Sequence, residues 1–529
     1  MHRPHPRLVL LLLVLPAILF AVACSGDSEP AAPTETPAAI TSPTAGASPT
    51  ATVPSPTATL PPAPEPAAIS WSACGSFQCG DLNVPLNYAE PAGRQIQIAM
   101  IRLPARQPSQ RIGSLLVNFG GPGGSGIEYL PGWAGSVPGE IRDRFDLVSF
   151  DPRGVGESEP IKCNDNIQEI LALDPTPDDE AEWKEVEQVS KDFADLCTQR
   201  HKDLLPYVGT VNVARDLDQM RRVLGDEKLT YIGYSYGTTI GATYATMFPS
   251  NVRALVLDGA VDTSLSGDDI ALGQALGFEG AMDDYVAYCA ARRCVATYPD
   301  DPMAGIDELI KRAEAAPIPA PGADRAAGPG EVYNALSGAM YTEAYYPVLT
   351  RAINAALSGN GTQLVNLADL LWQRNSDGSY PNLFEVLYAV NCVDYTFSRD
   401  AAYYRKLADE FEAKAPYYGI ALVEGEIPCA YWGASPTPLP QPSGKGAPPI
   451  VVIGTTRDPA TPYEWAVSLA EKLESAVLLT YRGTGHTAYL RSGSCITNAV
   501  NAYLLNLTPP ADGTTCGDAT YSTPIDISP

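Results

Sequence analysis

The sequence predicts an α/β chain, a mostly parallel sheet flanked by helices with one large, mainly helical cap insertion. Three observations lead there. Short apolar runs alternate with helical-period segments before and after the middle of the chain. The stretch between them has helical spacing and Pro/Gly-rich breaks, with no such alternation. A Gly-x-Ser-x-Gly turn stands between an apolar run and a helix, where a parallel sheet delivers such a turn.

Two segments precede the globular part. Residues 1–23 carry Arg3 and Arg7 and then the apolar run Leu8–Ala23, too short to span a bilayer comfortably, so they read as a signal peptide. The run ends Ala21-Val22-Ala23-Cys24, which resembles a bacterial lipobox whose cysteine is lipidated; plain secretion is the alternative. Residues 24–70 form the lipidated Cys24 and its spacer. From Ser25 to Ser70 the chain is rich in Pro, Thr, Ala and Ser, without an aromatic, Lys or Arg, and cannot bury a core.

The core opens at residue 71 and its first part extends to 262. Leu82–Leu86 and Gln95–Arg102 predict antiparallel strands about a turn at Glu90–Gly93. Ser114–Phe119 predicts a strand ending in Gly120-Gly121-Pro122-Gly123-Gly124, and Phe145–Phe150 one ending in Asp151-Pro152-Arg153-Gly154. Val213–Leu224 has helical spacing, with Gly225 as its stop. Leu229–Ile232 is a strand, Thr238–Phe248 a helix closed by Pro249, and Ala254–Leu257 a strand. Residues 263–447 make the cap. The core resumes over 448–529, with a strand at Pro449–Ile453, a helix at Tyr463–Leu473 and a strand at Ala476–Thr480.

Composition excludes several functions. A formal net charge of -26 leaves nothing to neutralise a run of phosphates or to hold anionic lipid, so nucleic acid is excluded and a membrane is met only through the lipid anchor. Four histidines and no His-Glu-x-x-His give no case for a metal, and no cofactor motif occurs. Apart from Cys24 there are ten cysteines, an even number, which in an exported chain reads as five disulfides. Sequential pairing is the simplest proposal: Cys74–Cys79, Cys163–Cys197, Cys289–Cys294, Cys392–Cys429 and Cys495–Cys516.

The chemistry sits at Gly233-Tyr234-Ser235-Tyr236-Gly237. A sharp strand-to-helix turn lifts the Ser235 hydroxyl above the sheet, and glycines two residues to either side allow strand and helix to pass close by. A hydroxyl nucleophile needs a base. Beyond the signal only His201 and His486 exist, and His486, just past the last predicted strand, is the base. Asp458, in the loop after the preceding strand, is the acid that orients it; Glu464 is the rival, but falls in a helix. The order Ser, Asp, His is that of α/β-hydrolases. The loop Asn118–Gly126 presents backbone N–H groups, and Gly121 with Tyr236 is expected to form the oxyanion hole. A phosphate cradle is the weaker reading of that loop, since no Lys-Ser/Thr follows the glycines.

On the stretches Asn118–Gly126, Asp151–Ser158, Gly233–Thr238, Leu257–Gly259, Asn391–Asp394, Asp458–Ala466 and Gly483–His486 the chain resembles the secreted tripeptidyl aminopeptidases, relatives of proline iminopeptidase with the α/β-hydrolase fold. Cys495 and Cys516 fit that family's C-terminal pattern. Phe119 departs from it, because proline iminopeptidases carry His there. The resemblance implies a serine exopeptidase that releases short peptides, often tripeptides, from free N-termini; an esterase with the same triad is the alternative, and a catalytically silent binding fold a third reading. Exopeptidase action requires carboxylates for the substrate ammonium, and Glu128, Asp258 and Asp394 are the candidates, Asp394 because it adjoins Cys392. Asp151 and Arg153 read as ion-paired support, and the cap tyrosines Tyr341, Tyr345, Tyr346, Tyr403, Tyr404, Tyr417 and Tyr418 as packing or groove residues.

Overall fold

A computed structural model describes residues 65–527; the signal segment, Cys24 and most of the spacer lie outside the described residues. Its strands are β1 (Ser72–Cys74), β2 (Phe77–Pro85), β3 (Gln95–Leu103), β4 (Gly113–Asn118), β5 (Phe145–Phe150), β6 (Leu229–Tyr234), β7 (Val252–Asp258), β8 (Ile450–Arg457), β9 (Ala476–Thr484) and β10 (Thr514–Gly517). They form one sheet in the order β1-β2-β3-β5-β4-β6-β7-β8-β9-β10. β1, β2, β3 and β5 pair antiparallel in succession, and every pair from β5 through β4 to β10 is parallel.

The side-chain pattern explains the division. All residues of β4, β5 and β6 are buried, as expected of strands covered by helices on both faces. In β3 buried and exposed residues alternate at the start, because the opening hairpin keeps one face in water. The chain leaves β4 to form β5 on one side and returns to form β6 on the other. Loops from neighbouring strands therefore diverge at the C-terminal ends of β4 and β6 and leave a crevice there.

Helices from Gly267–Arg292 to Ile427–Ala430 lie between β7 and β8 in the chain, within the stretch expected to be the cap. They enclose a hydrophobic cluster of their own, with Met282, Tyr285, Leu336, Leu349 and Ile353 buried in it. Two strands escape the sequence reading. β1 is a three-residue strand folded back on β2 across Cys74–Cys79. β10 has no apolar run, and its place beside β9 accompanies the tie from Cys516 to Cys495 at the start of helix Ser494–Asn506.

The five cysteine pairs are those of the sequential scheme, with Cα–Cα separations between 4.4 and 5.8 Å. Cys163–Cys197 and Cys392–Cys429 span 34 and 37 residues, against 5 for Cys74–Cys79 and Cys289–Cys294. Loop-closure entropy then gives about 4 kcal/mol for each long pair and about 2 kcal/mol for each short one. Paired Cys→Ala variants in thermal unfolding should follow that ranking, and peptide mapping without reductant should find no free thiol at the ten positions.

Candidate active site

β6 runs directly into Ser235, whose backbone sits at φ 54°, ψ −126°, and helix Tyr236–Met247 starts at the next residue. A residue with a Cβ enters that region only under constraint. The constraint is visible. Ser235 N–H donates to Asp258 O (2.9 Å), and Thr238 N–H and Oγ1 both donate to Ser235 O (2.8 and 2.6 Å). A Cβ on Gly233 would lie 2.2 Å from Gly237 O, and one on Gly237 2.8 Å from Asn118 O, so both glycines are demanded by close approach. Tyr236 N–H, in the first helical turn, has no intrahelical acceptor.

The loop after β4 packs against this turn. Gly120 has φ 89°, and a Cβ there would come within 2.9 Å of Ser235 Cβ. Asn118 Oδ1 accepts Gly120 N–H (3.0 Å). Asp151, at the end of β5, holds the far side: it accepts Ser125 Oγ (2.7 Å), Ile127 N–H (3.1 Å) and Glu157 N–H (2.9 Å). Arg153 is fully buried and pairs with both carboxylate oxygens of Asp216 at 2.6 and 2.7 Å, while also donating to the carbonyls of Pro85, Leu86 and Tyr207. Both residues support the site and do not line it. Phe119 packs its ring against Tyr129, Trp133 and Tyr234.

Asp458 follows β8 and is fully buried. It accepts the N–H groups of Ala460 (3.0 Å), Thr461 (2.9 Å) and Thr487 (3.2 Å), and its two oxygens lie 2.9 and 3.0 Å from His486 Nδ1. An Nδ1–H donated to that carboxylate leaves Nε2 as the basic nitrogen. The cap also grips this loop: His486 N–H donates to Tyr341 O (3.0 Å), and the Tyr341 ring meets the imidazole edge-on at 5.6 Å. Ser235 and His486 flank the Asp258–Gly259 step; a Cβ on Gly259 would lie 3.0 Å from His486 Cε1. Ser235 Oγ and the imidazole share no hydrogen bond among the described residues, and such contacts often tighten only with substrate bound. Glu464 is half-buried in helix Tyr463–Lys472 and makes no bond to His486. His201 is remote, with Nε2 3.0 Å from Lys162 N.

Gly121, Pro122, Ser235 and Tyr236 line a cavity of about 240 Å³ roofed by the cap. Its cap tyrosines are Tyr333, Tyr388 and Tyr395, not the seven named from the sequence. The acids expected to meet an ammonium are elsewhere. Asp258 is fully buried, its oxygens taken by Ala488 and Tyr489 N–H groups. Asp394 is buried against Thr210, accepting its N–H (2.8 Å) and its Oγ1 (2.6 Å). Glu128 is exposed in the first turn of helix Gly126–Ala134. The carboxyl that does line the cavity is Glu426. It is buried, its Oε2 has no hydrogen-bond partner, and burial, then the negative charge of Asp268 and a hydrogen bond with that carboxyl, push its pKa well above the usual range. Proximity to a disulfide is shared by Asp394 and by the other end of that bridge, where Glu426 lies three residues before Cys429.

A family model described as the alpha/beta hydrolase fold matches residues 113–492. The chain is 38% identical over 480 residues to "Serine protease Hip1" of Mycobacterium tuberculosis, covering 85% of this chain and 91% of that protein. It is 34% identical over 473 residues to "Tripeptidyl aminopeptidase" of Streptomyces lividans, covering 87% of each. It is also 34% identical over 473 residues to "Carboxylesterase B" of M. tuberculosis, covering 84% of this chain and 89% of that one.

The packing at the Ser235 turn predicts that Gly233→Ala is destabilising by at least about 2 kcal/mol, because the added methyl meets backbone on a rigid strand. Denaturant unfolding should show a lowered midpoint with an unchanged slope.

Proposed function

The chain belongs to the α/β-hydrolase family as a serine peptidase, and from that premise we propose that it is an extracytoplasmic exopeptidase releasing short peptides, above all tripeptides, from free N-termini. Ser235 Oγ attacks the scissile carbonyl carbon while His486 Nε2 takes its proton. The oxyanion receives the N–H groups of Gly121 and Tyr236. Asp458 keeps Nδ1 protonated and stabilises the imidazolium. His486 then gives the proton to the departing amine, which leaves an ester between Ser235 and the N-terminal fragment. Water, deprotonated by His486, attacks that ester and frees the peptide and the serine.

The observation that carries the exopeptidase reading is Glu426. A buried carboxyl with an unmade hydrogen bond costs about 1–3 kcal/mol, and a substrate ammonium in the same cavity as Ser235 would supply both the missing donor and the counter-charge. Tyr333, Tyr388 and Tyr395 give the intervening residues apolar walls that still offer hydroxyls. Export is supported by the signal-like start, by Cys24 with its spacer as an anchor, and by five disulfides, which persist outside the cytosol. The resemblance to a protein named carboxylesterase favours one second reading, an ester hydrolase using the same triad.

Ser235→Ala should lower kcat by at least about 10³-fold with folding intact, and a fluorophosphonate probe should label the parent at Ser235 and not the variant. His486→Ala should be as severe and Asp458→Asn somewhat less so. None of the losses should add to that of Ser235→Ala.

N-acetylation of a tripeptide anilide should abolish its turnover. Equal rates for blocked and free peptides would replace the exopeptidase with an endopeptidase, and turnover of short esters alone would replace it with the esterase. Glu426→Gln should raise KM for free-N-terminal peptides about tenfold or more and leave a small neutral ester unaffected. Glu426 binds its proton more tightly in the folded chain than in the unfolded one, so it lowers stability as pH rises above the ordinary glutamate range. Glu426→Gln should therefore melt at an equal or higher temperature than the parent at pH 8. For the parent, KM for peptides should fall as pH rises, since only the carboxylate holds the ammonium.

A further inference from the structure

Asp258 lies beside the base, and the mechanism above does not use it. It is the last residue of β7 and is fully buried. Its backbone carbonyl accepts Ser235 N–H at 2.9 Å. Its carboxylate accepts Ala488 N–H at 2.9 and 3.1 Å and Tyr489 N–H at 2.7 Å, in the turn directly after His486. The following residue, Gly259, donates to Ile453 O on β8 (3.1 Å) and sits against His486 Cε1. One residue thus joins, through about five covalent bonds of its own, the turn that carries the nucleophile and the turn that carries the base.

A buried brace of that kind does not need a charge, since an amide or a carbonyl can also accept N–H groups. The carboxylate is nevertheless close enough to interact electrostatically with both His486 and Asp458. Among the other groups facing this corner, burial raises the hydroxyls of Tyr234, Tyr341 and Tyr489, which stay neutral, while Arg491, donating to His486 O, keeps its positive charge and is the one the Asp258 carboxylate must outweigh at the imidazole.

We propose that Asp258 is a positioning residue for the base: its carboxylate fixes the 486–489 turn at a set offset from the Ser235 turn, and its negative charge favours the imidazolium that forms as Ser235 is deprotonated. The inference rests on the proposed roles of Ser235 and His486, but not on the identity of the substrate. Burial, partly offset by the N–H groups of Tyr489 and Ala488, raises the Asp258 carboxyl to about 6, so the charge is present at neutral pH and is lost in mildly acid solution.

The test is Asp258→Asn, assayed on a free-N-terminal tripeptide anilide and on a small neutral ester, with Ser235→Ala alongside. Kcat should fall about 10- to 100-fold on both substrates, with KM unchanged within about twofold. The acid limb of kcat/KM should move to lower pH, because an imidazolium that loses a neighbouring anion gives up its proton more readily. Unchanged kcat and an unmoved pH profile, with only a lowered melting temperature, would reduce Asp258 to a structural brace and overturn the proposal. A rise in KM confined to the peptide would overturn it in favour of substrate binding. Loss on the ester but no turnover of any peptide in the parent would refute the exopeptidase reading and leave this one standing. Near-parental activity in Ser235→Ala would remove the premise of both. Should Asp258→Asn not fold, NMR of the parent decides, because only His201 and His486 lie beyond the signal segment. The His486 ring signal should then report the titration of a neighbouring carboxyl near pH 6 in addition to its own, and a single-step titration would overturn the charge coupling.

Discussion

The turn at Ser235 holds a residue with a Cβ in a backbone region that costs about 1–3 kcal/mol, and the surrounding structure is arranged to keep it there. Glycines at 233, 237 and 120 remove the methyl groups that would strike neighbouring backbone. The carbonyl of Asp258 and the side chain of Thr238 take up the hydrogen bonds that a regular strand or helix would have provided. The order of the central strands follows from the same demand. β4 and β6 are neighbours, so the glycine loop and the serine turn leave the sheet side by side, and β7 and β8 bring Asp258 and Asp458 next in line.

Buried carboxylates around the cavity fall into two kinds. Asp458, Asp258, Asp151 and Asp394 have donors for their oxygens, which offset part of the cost of burial, and each fixes a piece of backbone. Glu426 has an oxygen without a donor and lies on the cavity wall. A folded chain holds such a group at the expense of stability, and binding sites are where that expense recurs.

The cap does more than roof the cavity. The carbonyl of Tyr341, at the end of cap helix Pro329–Met340, receives His486 N–H, so the insertion helps set the position of His486. On the other side Asp394, in cap helix Leu383–Asp394, anchors Thr210, whose hydroxyl lies 2.6 Å from that of Tyr236. Cys392–Cys429 joins that cap helix to the segment carrying Glu426. A shift of the cap would therefore disturb His486, Tyr236 and Glu426 together.

The sequence by itself determined the strands from β2 to β9, the insertion, the even number of cysteines beyond Cys24 and the choice of Ser235, Asp458 and His486, while the cysteine pairing it could only propose. Each of these rests on local patterns: apolar runs of strand length, glycines where chain segments touch, and histidine scarcity that leaves one base near a strand end. Only the tertiary structure decided the carboxylates. Whether an acid is a brace or an open site depends on which N–H groups from distant chain segments reach it, and no local pattern records that. Asp258 and Asp394 look as available as any acid in the sequence, yet residues 488–489 and 210 fill them, while Glu426, whose Oε2 no N–H group reaches, was passed over. β10 escaped for the same reason, since a four-residue strand without an apolar run is specified by its neighbour and a disulfide, and its own side chains carry no signal of it.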